Sequence, residues 1–336
     1  MTVALDHQLG SGLTKQSLGA VGPGGRGVGR GLHHGDVDTE LTSRDIGPSY
    51  VLGRLPCCGV WPHLRQSDPE RWLSNFHHDE EDVALALLNA FIYFNTEMTD
   101  RLLETSIRQL SAQVSTAGAD YARRRAQWLR FLQNVQVTHL ISPDDRHDET
   151  KSGYMFARKT RQILSNPEQI RPAASLAAEL IAGSEKPVII VDDFAGTGFQ
   201  FTEGWNRNYD LPDGSRVSYA ELAKKGVDIY FCPAVCTSAA LKAINDLPDP
   251  PKVSAAHVLS ERMSVLHPDS EVMPTYLRGQ VESVVRAAAG RSGTSEEVFG
   301  WGGLGLALGF EHNTPDTTLP IFYCEDEGWY PIVTRR

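Results

Sequence analysis

The sequence lacks the features that mark a secreted or membrane-spanning chain. No stretch approaches the roughly 18 consecutive apolar residues that a membrane span needs. The first residues, MTVALDHQLGSG, contain no basic segment followed by an apolar one, so we expect no secretory signal. Cysteine is scarce, with five residues in 336, and the odd number gives no disulfide framework. These absences predict a cytoplasmic protein in a reducing compartment.

Positive charge is also in short supply. Lys and Arg total 32 against 42 Asp and Glu, which gives a net charge of −10. Sequence-independent binding of nucleic acid depends on clustered cations, so we do not expect a nucleic acid as the partner. Hydrophobic residues make up 41% and charged residues 22%, which excludes a collagen-like, coiled-coil or wholly disordered chain. The length allows one large domain or two small ones.

Glycine is concentrated near the N-terminus, where 13 of the 30 glycines fall within the first 60 residues. The segment GPGGRGVGRG at 22–31 has no apolar period and cannot bury enough surface to offset its ordering entropy. We therefore expect residues 1–65 to be a disordered leader, or translation from a start codon that lies too early. A glycine-rich phosphate loop would need a preceding strand and a final GK[ST], and this segment has neither.

The next part of the chain, residues 66–134, has the apolar spacing of helices. Order is expected to begin near residues 67–70, where SDPE resembles an N-cap followed by proline. From Asp79, apolar residues recur at three- and four-residue steps as far as Leu102, which predicts one long amphipathic helix. A second helix is predicted over residues 120–132. Together they would form an N-terminal helical layer.

From residue 135 onward, strand-like and helix-like segments alternate. The strand-like segments are residues 135–141, 187–191, 227–232 and, more briefly, 253–259. Such alternation is typical of an α/β domain with a parallel sheet covered on both faces. We therefore predict an α/β domain over residues 135–336, of which the last sixty residues have no clear period.

One segment, VIIVDDFAGTGFQF at 188–201, contains most of the functional signal. An apolar run ends in Asp192 and Asp193, and a turn of small residues leads into a predicted helix. Ligands of open α/β sheets bind at the carboxyl ends of strands, and a helix N-terminus offers backbone N–H groups to an anion. The carboxylates could accept hydrogen bonds from vicinal hydroxyls or bind magnesium through water. The segment predicts recognition of a ribose that bears a phosphate.

Other interpretations of this segment remain. A dinucleotide loop needs a third glycine where Phe201 stands, and a P-loop needs a lysine that is missing. An adenosylmethionine-dependent methyltransferase is an alternative, since DFAGTG resembles the cofactor loop of amino-methyltransferases that act on DNA. Its D-P-P-aromatic motif would need an aromatic ring where Lys252 follows Asp249-Pro-Pro. The plainest alternative is a polar strand end whose glycines serve only packing.

The segment resembles more closely the phosphoribosyl-diphosphate (PRPP) signature of type I phosphoribosyltransferases: four apolar residues, two acids, three variable residues and Thr-Gly. Upstream, Ser152 and Gly153 open a predicted helix that contains Arg158, where the family has its pyrophosphate loop. Residues from about 70 to 336 also resemble the phosphoribosyltransferase-like proteins encoded in bacterial conflict and phage-defence loci. The features of that likeness are Trp72 with Phe76, the DDFAGTG segment, and NTPDTTLP at 313–320 with Trp329.

The resemblance implies a type I phosphoribosyltransferase-like topology and a role for each matching residue. Asp192 and Asp193 would be the catalytic acids, which bind the ribose hydroxyls. Ser152 and Gly153 would contact the pyrophosphate with Mg²⁺, the implied cofactor, and Arg158 would neutralise part of its charge. The 5′-phosphate would be bound by Ala195, Gly196, Thr197, Gly198 and Phe199. The implied partners are a small ribose-phosphate ligand and proteins of a defence system.

Two departures from the family pattern leave the activity open. Gln200 stands where the family usually has a hydroxyl residue. Biosynthetic members insert a mobile catalytic loop between the pyrophosphate loop and the signature strand, whereas residues 164–186 of this chain are mostly helix-forming. We therefore expect either a transferase or, on the same fold, a non-catalytic nucleotide sensor or effector.

Three smaller signals have plain structural interpretations. Cys232 and Cys236 have the wrong spacing for zinc and are expected to be small buried hydrophobes. Thr237 and Ser238 lie at a strand-to-helix turn on the ligand side, where an N-cap is expected. The segment HNTP at 312–315 is expected to form a turn.

Overall fold

The computed structural model of the protein describes residues 67–141, 152–164, 166–294, 296–325 and 328–335. The leader predicted over residues 1–65 lies outside the described residues. The predicted division of the remainder at residue 134 stays a prediction. No helix within the described ranges has both the length and the apolar character to cross a bilayer.

Helices and strands alternate along most of the described chain. The helices are α1 (Pro69–Leu73), α2 (Glu81–Ala90), α3 (Thr96–Val114), α4 (Tyr121–Asn134), α5 (Ser152–Lys159), α6 (Ala173–Ile181), α7 (Phe199–Asn206), α8 (Tyr219–Lys224), α9 (Ser238–Asn245) and α10 (Arg278–Arg291). The strands are β1 (Ile92–Phe94), β2 (Gln136–Thr138), β3 (Val188–Ala195), β4 (Tyr209–Asp210), β5 (Arg216–Val217), β6 (Ile229–Thr237), β7 (Lys252–Val253), β8 (His257–Leu259) and β9 (Leu308–Phe310). Short 3₁₀ helices lie at His78–Glu80, Thr160–Gln162, Pro167–Gln169, Glu261–Met263, Trp301–Gly303 and Pro320–Phe322.

The central sheet is parallel, with the strand order β2-β3-β6-β7 and with β8 also paired to β6. Strand β3 lies in the middle, where Val188 is opposite both Gln136 of β2 and Ile229 of β6. Every residue of β6 is buried, which is the pattern of a parallel strand with both faces covered. The predicted α/β class with a parallel sheet is confirmed.

Helices cover the two faces of this sheet. Successive side chains of β3 point to opposite faces, so Ile189 and Ile190 belong to different cores. Ile189 packs with Phe131 of α4 and with residues of α3 and α5. Ile190 packs with Trp205 of α7 and with residues of α6 and α8. The helices α3 and α4 of the predicted N-terminal layer therefore lie directly on the sheet.

The prediction of one long helix from residue 79 to residue 102 is wrong. Strand β1 interrupts it and pairs in parallel with β9, and α3 begins anew with Asn95 as its N-cap. The Asn95 side chain accepts a hydrogen bond from the Met98 N–H at 2.8 Å, and the Met98 side chain, which the spacing assigned to the apolar stripe, is exposed. The apolar run at 91–94 instead forms long-range contacts with β9, which local spacing does not encode.

Two strands extend further than the sequence predicted. Strand β3 continues through residues 192–195, and β6 runs on to Thr237. Cys232 and Cys236 therefore lie inside β6, where burial raises the pKa of each thiol to about 12. Their predicted role as small buried hydrophobes is confirmed.

The first and last parts of the described chain share another core. The Trp72 ring stacks on Phe322 with centroids 5.1 Å apart, and Phe76 contacts Trp329 edge-on at 5.6 Å. The indole N–H groups of Trp72 and Trp329 both donate to the Ile321 carbonyl, at 2.8 and 3.0 Å. This core joins the C-terminal part of the chain to α1 and α2.

Candidate functional site

The turn after β3 leads directly into helix α7. Gly198 has a φ of +81°, in the left-handed region, and is followed by Phe199, the first residue of the helix. A Cβ at Gly198 would lie 3.2 Å from the Cβ of Ala243, so a larger residue would also crowd α9. The Thr197 hydroxyl accepts a hydrogen bond from the Phe199 N–H at 3.2 Å. The backbone at the start of α7 thus lies at the carboxyl end of β3, where an anion can bind.

Thr237, the last residue of β6, fixes this turn from the neighbouring strand. Its hydroxyl donates to the Gly196 carbonyl and accepts from the Ala240 N–H at 3.0 Å. Thr237 is therefore the N-cap of α9, as predicted. The same hydroxyl ties the start of α9 to the turn after β3, so two parallel strands position the turn together.

Asp192 and Asp193 lie within the last part of β3 rather than beyond its end. One carboxylate oxygen of Asp192 accepts from the Asp193 N–H, and one of Asp193 accepts from the Phe194 N–H, each at 2.9 Å. Burial first, and then the charge of Asp193, raises the pKa of Asp192 well above its usual range. The pair therefore favours one protonated and one ionised carboxyl group.

His312 joins the acid pair from a distant part of the chain. Its Nε2 lies 2.6 Å from Oδ2 of Asp193, and the His312 side chain is only 17% exposed. The imidazole contacts the rings of Phe156 in α5 and Phe310 in β9, with centroids 5.3 and 5.4 Å away. Sequence reasoning missed this residue and expected only a turn. Its position directly before the NTPDTTLP motif at 313–320 was the signal, but only the β1–β9 pairing shows where that motif lies.

The C-terminal segment also encloses the turn after β3. A Cβ added to Gly196 would lie 2.6 Å from Cγ2 of Thr317, and one added to Gly302 would lie 2.6 Å from Cγ2 of Thr197. The Thr317 hydroxyl is buried and has no hydrogen-bond partner among the residues that the structure describes. Residues 300–318 therefore form a wall of the site that the sequence did not reveal.

Two aromatic side chains lie at the rim of this turn. Phe199 is 54% exposed and Trp301 is 38% exposed, and their ring centroids are 5.8 Å apart. Since Gly302 packs on Thr197, the Trp301 ring lies beside the turn itself. Its fluorescence should therefore respond to a ligand bound there.

The predicted pyrophosphate residues lie in helix α5, which begins at Ser152 as expected. A Cβ on Gly153 would lie 2.9 Å from the Cβ of His139, which follows β2, so this glycine permits close packing. Arg158 is exposed, with its guanidinium carbon 5.9 Å from the ring centroid of Tyr154. The segment that precedes α5, at 142–151, lies outside the described residues. A pyrophosphate contact by Ser152, Gly153 and Arg158 stays a prediction.

A resident metal would find few ligands in the described parts of the chain. No group of three or more His, Cys, Asp or Glu residues within them is placed to hold a metal ion. Mg²⁺ is a hard cation that prefers oxygen ligands. The acid pair could contact it only if the phosphate oxygens of a bound ligand supplied most of its coordination. Magnesium would then be bound as part of the ligand complex.

A parallel sheet whose middle strand has two acids near its carboxyl end, followed by a glycine turn into a helix, is the arrangement expected of a phosphoribosyltransferase-like α/β protein. The model of one such family, PRTase-CE, matches residues 69–335, and the chain belongs to that family. The acid pair, the turn and His312 all fall within the match. No curated protein and no solved structure matches the chain.

Proposed function

We propose that this phosphoribosyltransferase-like protein binds PRPP, or a related ribose-phosphate nucleotide, together with Mg²⁺. The supporting observation is the position of the turn at residues 195–199, between the acid pair of β3 and the N-terminus of α7. The backbone N–H groups of this turn and the Thr197 hydroxyl bind the 5′-phosphate. The carboxyl groups of Asp192 and Asp193 orient the ribose, and α5 with Arg158 contacts the pyrophosphate.

In a transferase built on this site, pyrophosphate leaves as the anomeric carbon becomes cationic. Groups that bind the leaving pyrophosphate more tightly as its charge develops lower the barrier of that step. Bound Mg²⁺ would neutralise part of the same charge. The chain's own contribution is to orient the ribose against the acid pair and to fix the 5′-phosphate, so that the anomeric carbon faces the acceptor.

One observation favours a second candidate, a non-catalytic nucleotide sensor or effector on the same fold. Residues 166–186 consist of the 3₁₀ helix Pro167–Gln169, helix α6 and short connections. The Gln169 side chain donates to the carbonyls of Leu132 and Val135 at 2.8 and 2.7 Å, and Leu176 of α6 is fully buried. This interval, as far as the structure describes it, contains no long loop that could close over a ligand during catalysis.

For both candidates we propose a role in bacterial anti-phage defence, with partner proteins of the same system. The support is the sequence resemblance to phosphoribosyltransferase-like proteins of conflict loci. The methyltransferase alternative loses support, because the chain belongs to PRTase-CE. Lys252, at the position of the required aromatic ring, lies in β7 and pairs with Asp228 at 2.9 Å.

Isothermal titration of the full chain with PRPP, with and without Mg²⁺, tests the proposal. We expect saturable binding that strengthens with Mg²⁺, and adenosylmethionine titrated in parallel should give no heat. Binding of adenosylmethionine alone would contradict the proposal. Pyrophosphate release then separates the candidates, since turnover with any acceptor identifies a transferase and tight binding without turnover a sensor.

A matched pair of variants connects that binding to the acid pair. Asp192→Asn with Asp193→Asn should remove PRPP binding while the protein stays folded. The control is Asp210→Asn in β4, an exposed acid paired with Arg216, which should bind as the wild type does. Retained affinity in the double variant would contradict the assignment of the acids to the ribose.

A further inference from the structure

Both oxygens of the Asp193 carboxylate already have partners within the protein. Oδ1 accepts from the Phe194 N–H at 2.9 Å, and Oδ2 lies 2.6 Å from Nε2 of His312. Asp193 therefore has less capacity to receive a ligand hydroxyl than an acid at an open strand end. The next polar group beyond Asp193 on this side of the site is the His312 imidazole.

The contact with Asp193 also determines what the other ring nitrogen can do. An ionised carboxylate only accepts hydrogen bonds, so Nε2 donates to Asp193, and in the tautomer with one proton on Nε2 the Nδ1 lone pair can accept a hydrogen bond. No partner of Nδ1 lies among the residues that the structure describes. Contacts with Phe156 and Phe310 restrict rotation of the ring, and its 17% exposure leaves part of the side chain accessible.

We propose that Nδ1 of His312 accepts a hydrogen bond from a ribose hydroxyl of the ligand, beside Asp192. The inference rests on the proposed function, because that function places the ribose diol beside the acid pair. A carboxyl–imidazole pair then recognises the diol, and Asp193 acts mainly by orienting the imidazole. The site thereby selects sugar phosphates with vicinal hydroxyls over simple phosphates, because a ligand without the hydroxyl leaves Nδ1 unpaired.

The test compares two probes, ribose 5-phosphate and inorganic phosphate, on the full chain and on two variants. His312→Phe keeps a ring that suits the contacts with Phe156 and Phe310 but removes both nitrogens. His312→Gln keeps a donor for Asp193 and an acceptor for the ligand, and it serves if the Phe variant does not fold. Glu311→Gln is the matched control, since this neighbouring carboxylate accepts from the Thr96 N–H at 2.6 Å.

We expect His312→Phe to bind ribose 5-phosphate roughly ten-fold more weakly, the loss typical of one hydrogen bond to a ligand. Its affinity for inorganic phosphate, which has no hydroxyl for Nδ1, should stay that of the wild type. His312→Gln should recover part of the ribose 5-phosphate affinity, and Glu311→Gln should bind both probes normally.

The outcomes distinguish this inference from the function on which it rests. A wild-type protein that binds neither ribose 5-phosphate nor PRPP overturns the proposed function, and the inference with it. Normal ribose 5-phosphate binding by His312→Phe overturns the inference alone. An equal loss for both probes also overturns it, because it would show that His312 only maintains the shape of the site.

Discussion

At the scale of single residues, we expect the Asp192 carboxyl group to help bind the ligand but to lower the stability of the ligand-free protein. Burial and the charge of Asp193 raise its pKa, so the folded protein holds this proton more tightly than the unfolded chain does. Above the pKa of an unfolded Asp, about 3.9, the carboxyl group ionises in the unfolded chain while folded Asp192 still holds its proton, and this difference lowers the free energy of unfolding. Below that pH the carboxyl group is neutral in both states and the cost disappears.

Asp192→Asn should therefore stabilise the ligand-free protein at pH 7. Removal of such a penalty contributes about 1 kcal/mol, or roughly 2–4 °C in Tm for a protein of this size. The gain should shrink as the pH falls towards 4, where the carboxyl group becomes protonated in the unfolded chain as well as in the folded protein. Calorimetry at both pH values measures it. A lower Tm at pH 7, or a gain independent of pH, would show that the carboxylate stabilises the fold by other contacts.

Thr317 and Thr318 are adjacent buried residues, and we expect the same substitution to change thermal stability in opposite directions at the two positions. The Thr317 hydroxyl has no partner within the described part of the chain, and an unpaired buried hydroxyl costs about 1–3 kcal/mol. The Thr318 hydroxyl donates to the Leu308 carbonyl at 2.8 Å. Thermal unfolding should show a raised Tm for Thr317→Val and a lowered Tm for Thr318→Val. A lowered Tm in both would mean that Thr317 has a partner after all.

At the scale of elements, the turn after β3 depends on close packing against the C-terminal segment. A Cβ at Gly196 would lie 2.6 Å from Cγ2 of Thr317 and 2.9 Å from Cε1 of Phe194. Gly196→Ala should cost about 1–3 kcal/mol of stability, as overpacked sites do, and should weaken PRPP binding. Calorimetry and titration measure the two effects.

The control for Gly196→Ala lies in helix α10. A Cβ at Gly290 meets nothing within 4 Å, and there Ala should stabilise the helix by about 0.4–1 kcal/mol without affecting the ligand. Adding Thr317→Ser to Gly196→Ala removes the closest clashing atom and should restore part of the stability. Absence of any restoration would mean that Phe194, rather than Thr317, limits the space at the turn.

The elements also show what the sequence could predict and what it could not. The apolar run, the acids and the glycines near Asp192 are local signals, and they correctly predicted a strand, a turn and a helix. The helix predicted across residues 91–94 was wrong, because strand β1 forms only through its pairing with β9. His312 and Thr317 were missed for the same reason, since their proximity to β3 arises from contacts more than a hundred residues apart.

At the scale of the whole molecule, the aromatic core that joins the two ends of the described chain also positions the site. Trp72 and Trp329 donate to the same Ile321 carbonyl, and the 3₁₀ helix that contains Ile321 directly follows the segment with His312 and Thr317. The core is remote in sequence from the acid pair, yet it holds the end of the segment whose residues 300–318 form a wall of the site. Loosening it should therefore affect ligand binding.

Trp329→Phe tests this coupling. The substitution removes the 3.0 Å hydrogen bond to Ile321 and reduces the contact with Phe76, so it should cost about 1–3 kcal/mol. Trp128→Phe on α4 alters a half-buried ring stacked on Phe131 and is the control away from this core. Hydrogen exchange should become faster at residues 306–320 only in Trp329→Phe, and ribose 5-phosphate affinity should fall only there. Faster exchange with unchanged affinity would show that the site keeps its geometry without the aromatic core, because the contacts of Thr317 and His312 with β3 would then suffice.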